Sequence, residues 1–499
     1  MNSKDLFSSG IDIVDEMDAE LGDPRRTERL HWLASALAEE PDKSFPELFE
    51  DGADLAAVYR FFGNQHISHN DVLHAHVDRT VARSHRLGAV LVIHDSTEHD
   101  YARHSSHLRE GFCLLRKNRQ GFSNHVTLVV SDDGLRCPVG VLGMIPYVHS
   151  KDTSATRDPE SWEQLRRYWH EEFGSPMSSY DRWLMGIERA RDELDGVEQV
   201  IHVMDREADA FELLGEMALA ADRFIIRANN DRRAHDPEDA ELRYLSESIA
   251  KAEFIAERSV ELSPRWQQLA SPSKKKRHPT RRHRTARLSF RACSATIRRP
   301  HQNSAGKDHR HLPKLLSINL IEAVELNPPQ GEPPVRWLLM TSEPIDTIDD
   351  ILLVVDRYRA RWVIEEFNKA TKTGAGYAKR QLDSAHSMLI ALAVTLPVAW
   401  SLLVIRHLDR TAPHLPAAVL FSLVQVAVLK AAQPKLNWSE KPTIGEATQA
   451  LAKLGGHLKR NGKPGWQILG RGYQRMLQQE VGWRAAIAAM PNLQSSVES

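Results

Sequence analysis

The chain has 499 residues, 41% hydrophobic and 26% charged, with a net charge of -2 at pH 7. That length predicts two to four domains with sizeable cores in an ordinary soluble globular protein, and the bulk charge does not by itself announce a polyanionic partner. Three widely spaced cysteines, Cys113, Cys137 and Cys293, exclude a disulfide framework and a paired-cysteine zinc pattern, and the N-terminus has no apolar signal-peptide core, so a reducing, cytoplasmic setting is expected.

Residues 1–75 read as helical. Leu21-Gly-Asp-Pro-Arg25-Arg26-Thr27 opens an amphipathic run over Leu30 to Leu37, and Asp54 to Phe62 predicts a second helix ending at Gly63-Asn64. A small DNA-contacting domain and a plain helical lead-in both fit this pattern.

Gly88 to Asp95 is a short apolar run ending in an acid, which predicts a buried strand with Asp95 at its C-terminal end. Phe122–Val130 and Pro138–Pro146 predict a hairpin around Asp132-Asp133-Gly134, and Pro176 to Leu194 a helix. The arrangement then repeats: Gln199 to Met204 is an apolar strand ending on Asp205, a helix follows through Leu214, and Arg223 to Arg227 is a further strand. Alternating strands and helices predict a mixed α/β core. Ligands in such sheets sit beyond the strand ends, so Asp95 and Asp205 are candidates to meet there; helix capping is the competing reading for each.

Residues 263–316 carry fifteen Lys or Arg against one acid, Asp308, an electrostatic footprint for a polyanion inside an otherwise acidic chain. The basic loop 274–287 lies here, and Leu288–Ile297 and Leu315–Val324 predict antiparallel strands of an inserted β subdomain over about 237–345. His301, His309 and His311 lack partner cysteines at zinc-site spacing. Val335 to Thr341, containing Trp337, leads back to the core.

Tyr358-Arg-Ala-Arg361-Trp-Val-Ile-Glu365 through Lys372 predicts one helix. At about 100° per residue Tyr358, Arg361, Glu365 and Lys372 share one face, and Val363, Ile364, Phe367 and Ala370 the opposite one. A carboxylate flanked by phosphate-binding groups suits chemistry on a nucleic-acid backbone, although a charged face also arises from simple solvation. Met388 to Ile405 is nearly all apolar and predicts a buried helix rather than a membrane span. Residues 453–484 carry seven basic groups and one acid, which suits a subunit-contact or DNA-contact surface.

Three carboxylates held together can bind two divalent ions about 3.5–4 Å apart, and hard oxygen ligands favour Mg²⁺ or Mn²⁺. The Tyr-x2-Arg-x3-Glu-x6-Lys pattern at 358, 361, 365 and 372 resembles the YREK signature of bacterial DDE transposases of the IS-four type. Asp95-Ser96-Thr97 and Asp205-Arg-Glu-Ala-Asp209 resemble that family's first and second acidic motifs, and Leu21 to Thr27 its N-terminal DNA-binding motif. Gly-Lys-Pro-Gly-Trp466 resembles its C-terminal segment, so the resemblance covers the chain in order.

The resemblance implies a ribonuclease-H-like catalytic domain over 76–380 with the inserted antiparallel β subdomain, between helical domains at 1–75 and 381–499. It implies Asp95, Asp205 and Glu365 as ligands of Mg²⁺ or Mn²⁺. Arg25 and Arg26 would contact DNA from the N-terminal domain, and Arg227, Tyr358, Arg361 and Lys372 would contact phosphates near the cleavage site. Trp337 would stack a flipped base while a hairpin end forms. The implied function is cut-and-paste transposition by a homodimer that pairs two terminal inverted repeats, cleaves them and joins 3′-ends to target DNA. A non-catalytic DNA-binding derivative and a host nuclease with the same core are the alternatives.

Overall fold

The computed structural model describes the chain except residues 1–5, 8–9, 42, 103–108, 117–118, 149–158, 179, 237–238, 263–282, 301–309, 333, 459–461 and 498–499. The expected basic stretch 274–282, His301 and His309 therefore lie outside the described residues. The chain forms two compact units, one of residues 1–199 with 362–499, the other of residues 200–361.

The first unit opens with helices α1 (Pro24–Glu39), α2 (Phe45–Leu48), α3 (Gly52–Phe62) and α4 (His69–Leu87). Asp23 caps α1 by accepting from the Arg25 N–H at 2.9 Å, with Pro24 at its first position, and α1 buries Leu30, Leu33, Ala34 and Leu37 at helical spacing. Ser68 and Asp71 form a capping box on α4, and Gly88, at φ +75, ends it in the left-handed conformation that suits glycine.

Strand β1 (Ala89–Ala102) follows, then β2 (Cys113–Arg116), β3 (Arg119–Ser131) and β4 (Pro138–Tyr147), all antiparallel about β3. The expected hairpin is present, its turn tied by the Asp133 carboxylate, which accepts from the Leu135 and Arg136 N–H groups. Asp95, however, does not end its strand. It sits inside β1, opposite Val126, because β3 is long enough to pair residues through Ala102. The partner's hydrogen bonds carry the ladder past the apolar run. Helices α5 (Pro159–Phe173) and α6 (Asp181–Glu193) complete this half.

The second unit takes in β5 (Gln199–Met204) from Val200 on, α7 (Phe211–Leu219), β6 (Arg223–Arg227), β7 (Arg233–Asp236), β8 (Asp239–Tyr244), α8 (Leu245–Ala250), β9 (Ala256–Leu262), β10 (Arg284–Arg298), β11 (Leu315–Val324), β12 (Arg336–Thr341) and α9 (Ile348–Ala360). β5 and β6 are parallel, whereas β6, β12, β11 and β10 pair antiparallel in that order. The fold is therefore mixed α/β, and the two expected strands of the insertion pair from Ser289 opposite Val324 to Arg298 opposite Leu315.

Part of the basic surplus in this region serves the fold. Arg291 reaches the buried Glu322 at 2.6 Å, joined there by Arg336 from outside the basic segment, and Arg284 pairs with Glu325 and Glu332. These acids lie outside 263–316, so counting charge within that segment overstates what is left for a polyanion. A buried carboxylate is tolerated only when paired, and arginine forks supply the pairing.

The first unit resumes with α10 (Trp362–Lys369), α11 (Ala385–Thr411), α12 (Leu423–Ala432), α13 (Ile444–Leu454) and α14 (Trp466–Val497). α11 is long and apolar enough to cross a membrane, but its whole apolar window is buried inside this unit. Its Trp400 lies against Phe7 and His76, and α1 packs on α14, so N- and C-terminal helices share one core.

Candidate active site

In the first unit, alternate residues of β1 face the segment that follows Glu365. Side chains two apart on a strand point to one face, which puts Asp95, Thr97, His99 and Tyr101 in a row. Asn368 donates its amide to Asp95 Oδ2 at 3.2 Å, and Lys372 Nζ donates to Thr97 Oγ1 at 2.6 Å. Tyr377 then meets His99 edge-on, with ring centroids 4.9 Å apart. Burial lowers the Lys372 pKa, and the carboxylates of Glu98, Asp95 and Asp100 act in the opposite direction.

Glu365 is half-buried, one helical turn before Asn368 on α10. Val363, Ile364, Phe367 and Ala370 are buried, as their periodicity required. On the opposite face of β1, Ser96 Oγ lies 3.0 Å from His125 Nδ1, and His125 stacks on His94 at 5.6 Å. Burial pushes the His125 pKa down to about 3, with the Arg182 charge adding to the effect, so the ring is neutral.

The single helix expected over 358–372 is interrupted twice. α9 ends at Ala360, and the Arg361 N–H bonds the Tyr358 carbonyl at 3.0 Å. Beyond Lys369 the backbone widens into a π-helical turn over Ala370–Gly374, closed by the Ala375 N–H on the Ala370 carbonyl at 2.7 Å. The wider turn changes the angular step, so Lys372 does not continue an ideal α-helical line. The boundary between units also falls between Arg361 and Trp362, placing Tyr358 and Arg361 in the second unit and Glu365 and Lys372 in the first.

In the second unit a cluster gathers around Tyr358, which is buried at 6% exposure rather than displayed on a solvated face. Burial raises its phenol pKa; the Arg361 and Arg227 charges oppose that rise, and the Asp205 carboxylate adds to it. Arg227, at the end of β6, donates to the Arg336 carbonyl at 3.1 Å and shares the phenol with Arg361. The Trp337 ring meets the Tyr358 ring edge-on at 5.9 Å. Trp337 is half-exposed while Leu339 and Met340 of its strand are buried, so it is not a core tryptophan. Two guanidiniums, a phenol and a partly open indole thus form one surface suited to phosphate and base contact.

Asp205 ends β5 and caps a short turn, its carboxylate accepting from the Glu207 N–H at 2.8 Å. The capping reading is realised for this residue, and α7 begins only at Phe211. The neighbouring Asp209 is buried and accepts from the Asn229 and Asn230 N–H groups at 2.6 and 2.7 Å while pairing with Arg232. It organises the loop after β6. Arg25 is exposed near the start of α1, and Arg26 reaches the Leu21 carbonyl at 3.3 Å. Thr27 Oγ1 donates to the Ala19 carbonyl at 3.0 Å, so the threonine of this motif pins the chain entering α1.

Sequence reading missed Asn368, whose i+3 spacing from Glu365 was the available signal, and the Ser96–His125 pair, for which no local signal exists. The expected metal donors are all carboxylates, the correct chemistry for Mg²⁺ or Mn²⁺. Neither unit by itself contains all three of Asp95, Asp205 and Glu365. Among the described residues, no group of three or more His, Cys, Asp or Glu is gathered to hold a metal ion. The donor types fit the ions.

Residues 15–67 match the family model for transposase DNA-binding. The matched residues span α1 to α3 and include Arg25, Arg26 and the Thr27 pin. The match supports a transposase, with DNA as its partner.

Proposed function

We propose that the protein is a cut-and-paste DNA transposase of the IS-four type. The observation that carries the reading is the transposase DNA-binding match at residues 15–67, followed along the same chain by the Tyr358–Arg361–Arg227 cluster and the Asp95–Asn368 pair. In this reading the N-terminal helices take the terminal inverted repeats, and a homodimer pairs two ends. Arg227, Arg361 and Lys372 neutralise phosphates at the cleavage site, and Trp337 stacks an extruded base while a hairpin end forms. Asp95, Asp205 and Glu365 are the proposed ligands of Mg²⁺ or Mn²⁺. Bound ions would supply an activated water or 3′-hydroxyl and stabilise the leaving oxygen. The proposed core is ribonuclease-H-like, with the antiparallel strands β10 and β11 in its insertion.

The test is cleavage of supercoiled DNA carrying the element's own ends, with Mg²⁺, by wild type and Glu365→Gln. That change keeps shape and removes a charge. Cleavage at the ends by wild type, lost in the variant while end binding survives, is the expected result. Binding without cleavage by either protein, with Mn²⁺ also tried, would favour a non-catalytic DNA-binding derivative.

A further inference from the structure

We propose that the cavity beside the turn between α13 and α14 binds a phosphodiester group of the DNA backbone, far along the chain from the N-terminal DNA-binding segment. The proposal rests on DNA being the partner.

The cavity measures about 340 Å³, and its wall includes Asp409, Thr448, Lys453, His457, Lys463 and Pro464. Thr448 is 1% exposed, and its Oγ1 has no hydrogen-bond partner among the described residues; the buried Nδ1 of His457 is in the same condition. A buried polar atom left without a partner is costly, so a ligand able to bond it is favoured. Lys453 and Lys463 are exposed ammonium groups on this wall, against one carboxylate, Asp409. Two ammonium groups against one carboxylate make the balance positive, and a phosphate oxygen can accept from a hydroxyl and from an ammonium group alike.

Two further features favour an anion. α14 begins at Trp466, two residues after Pro464, so the positive end of a 32-residue helix lies beside the wall. α13 and α14 also pack closely. A Cβ at Gly455 would come within 2.0 Å of the Ile468 carbonyl oxygen, and one at Gly472 within 2.0 Å of the Leu451 carbonyl oxygen. Only glycine allows the backbones of α13 and α14 so close, and that contact fixes the helix end from which Lys453 projects. Asp409 lies near Lys463 and Arg410, an internal counter-charge that a phosphate would have to displace.

The test uses the full chain and a short duplex without element ends, with affinity followed by fluorescence anisotropy over a salt series. The double variant Lys453→Ala/Lys463→Ala should reduce the slope of log K against log salt by about 0.9, the value for one phosphate, and each single variant by part of that. Asp409→Asn should tighten binding several-fold at fixed salt, a gain that misfolding cannot produce. Unchanged slopes, together with an Asp409→Asn variant no tighter than wild type, would overturn the proposal. Two other results would also overturn it. In one, inorganic phosphate raises the melting temperature of wild type but not of the double variant, with unchanged slopes, which would make the cavity a site for free phosphate. In the other, slopes stay constant while the sedimentation of the double variant changes, which would assign the cavity to a second copy of the chain. Wild type that binds no duplex would instead overturn the DNA-partner reading on which the proposal rests.

Discussion

The Asn368 side-chain amide donates to the carboxylate of Asp95 at 3.2 Å, joining the helix that carries Glu365 to the strand that carries Asp95. The bond fixes the orientation of a half-buried carboxylate. A hydrogen bond to a charged group is worth about 1.5–3 kcal/mol, so Asn368→Ala should slow end cleavage by about ten- to a hundredfold. Asn368→Asp should be worse, because it sets a like charge against Asp95. Both variants should bind ends as wild type does in a gel-shift assay. Wild-type cleavage by Asn368→Asp would remove Asn368 from the site.

Arg361 and Arg227 flank the buried Tyr358 phenol. If Arg361 neutralises one phosphate near the cleavage site, Arg361→Ala should weaken cleavage-complex formation and lower its salt slope by about 0.9. Tyr358→Phe keeps the ring packing against Trp337 and should leave that slope unchanged. An Arg361→Ala slope equal to wild type would count against phosphate contact.

Stability at the N-terminus depends on Glu16. Its carboxylate accepts from Arg83 at 2.7 and 2.9 Å and lies 2.6 Å from His76 Nδ1. His76 Nε2 accepts from the Val141 N–H at 3.0 Å, so the imidazole proton is on Nδ1, facing the carboxylate. Burial by itself would raise the Glu16 pKa, but the bonds from His76 and Arg83 outweigh it and hold the group at about 2. Glu16→Gln strands the Arg83 charge and should cost about 3–5 kcal/mol, read by urea unfolding. Because the folded pKa is depressed, this stabilisation is present above the ordinary value of 4.5 and is lost as pH falls toward about 2.

His69 should make acid sensitivity begin earlier. Burial, with the Arg189 and His386 charges adding to it, depresses its pKa from 6.5 to about 4. The unfolded chain therefore takes up a proton that the folded chain refuses, and stability falls as pH drops from 6.5 toward about 4, by about 3 kcal/mol in total. His69→Gln should flatten that part of the stability-pH curve. A curve parallel to wild type over the same interval would refute the assignment.

The close crossing of α13 and α14 predicts a steric result. Gly472→Ala places a methyl group against the Leu451 carbonyl oxygen and should destabilise the C-terminal helices by at least about 1–3 kcal/mol. Gly482→Ala, further along the same helix with nothing within 4 Å of the added Cβ, is the control and should be neutral or slightly stabilising in thermal unfolding.

The sequence by itself determined the pieces whose burial follows from local period. The strands at 199–204, 223–227, 288–297 and 315–324, the buried face of α10 and the proline-led start of α1 were legible, because the residues that form them also carry the signal. Tertiary structure decided the rest. β1 runs past Asp95 because β3 pairs it, and a partner's hydrogen bonds leave no mark on the polar stretch they hold in the ladder. The row Asp95, Thr97 and His99 meets Asn368, Lys372 and Tyr377 across more than 270 residues of chain, and Arg227, Trp337 and Tyr358 gather from three separate elements. The π-helical turn and the union of N- and C-terminal helices in one core are decided the same way. Packing against distant segments supplies their free energy, and a local pattern cannot encode a neighbour it has not yet met.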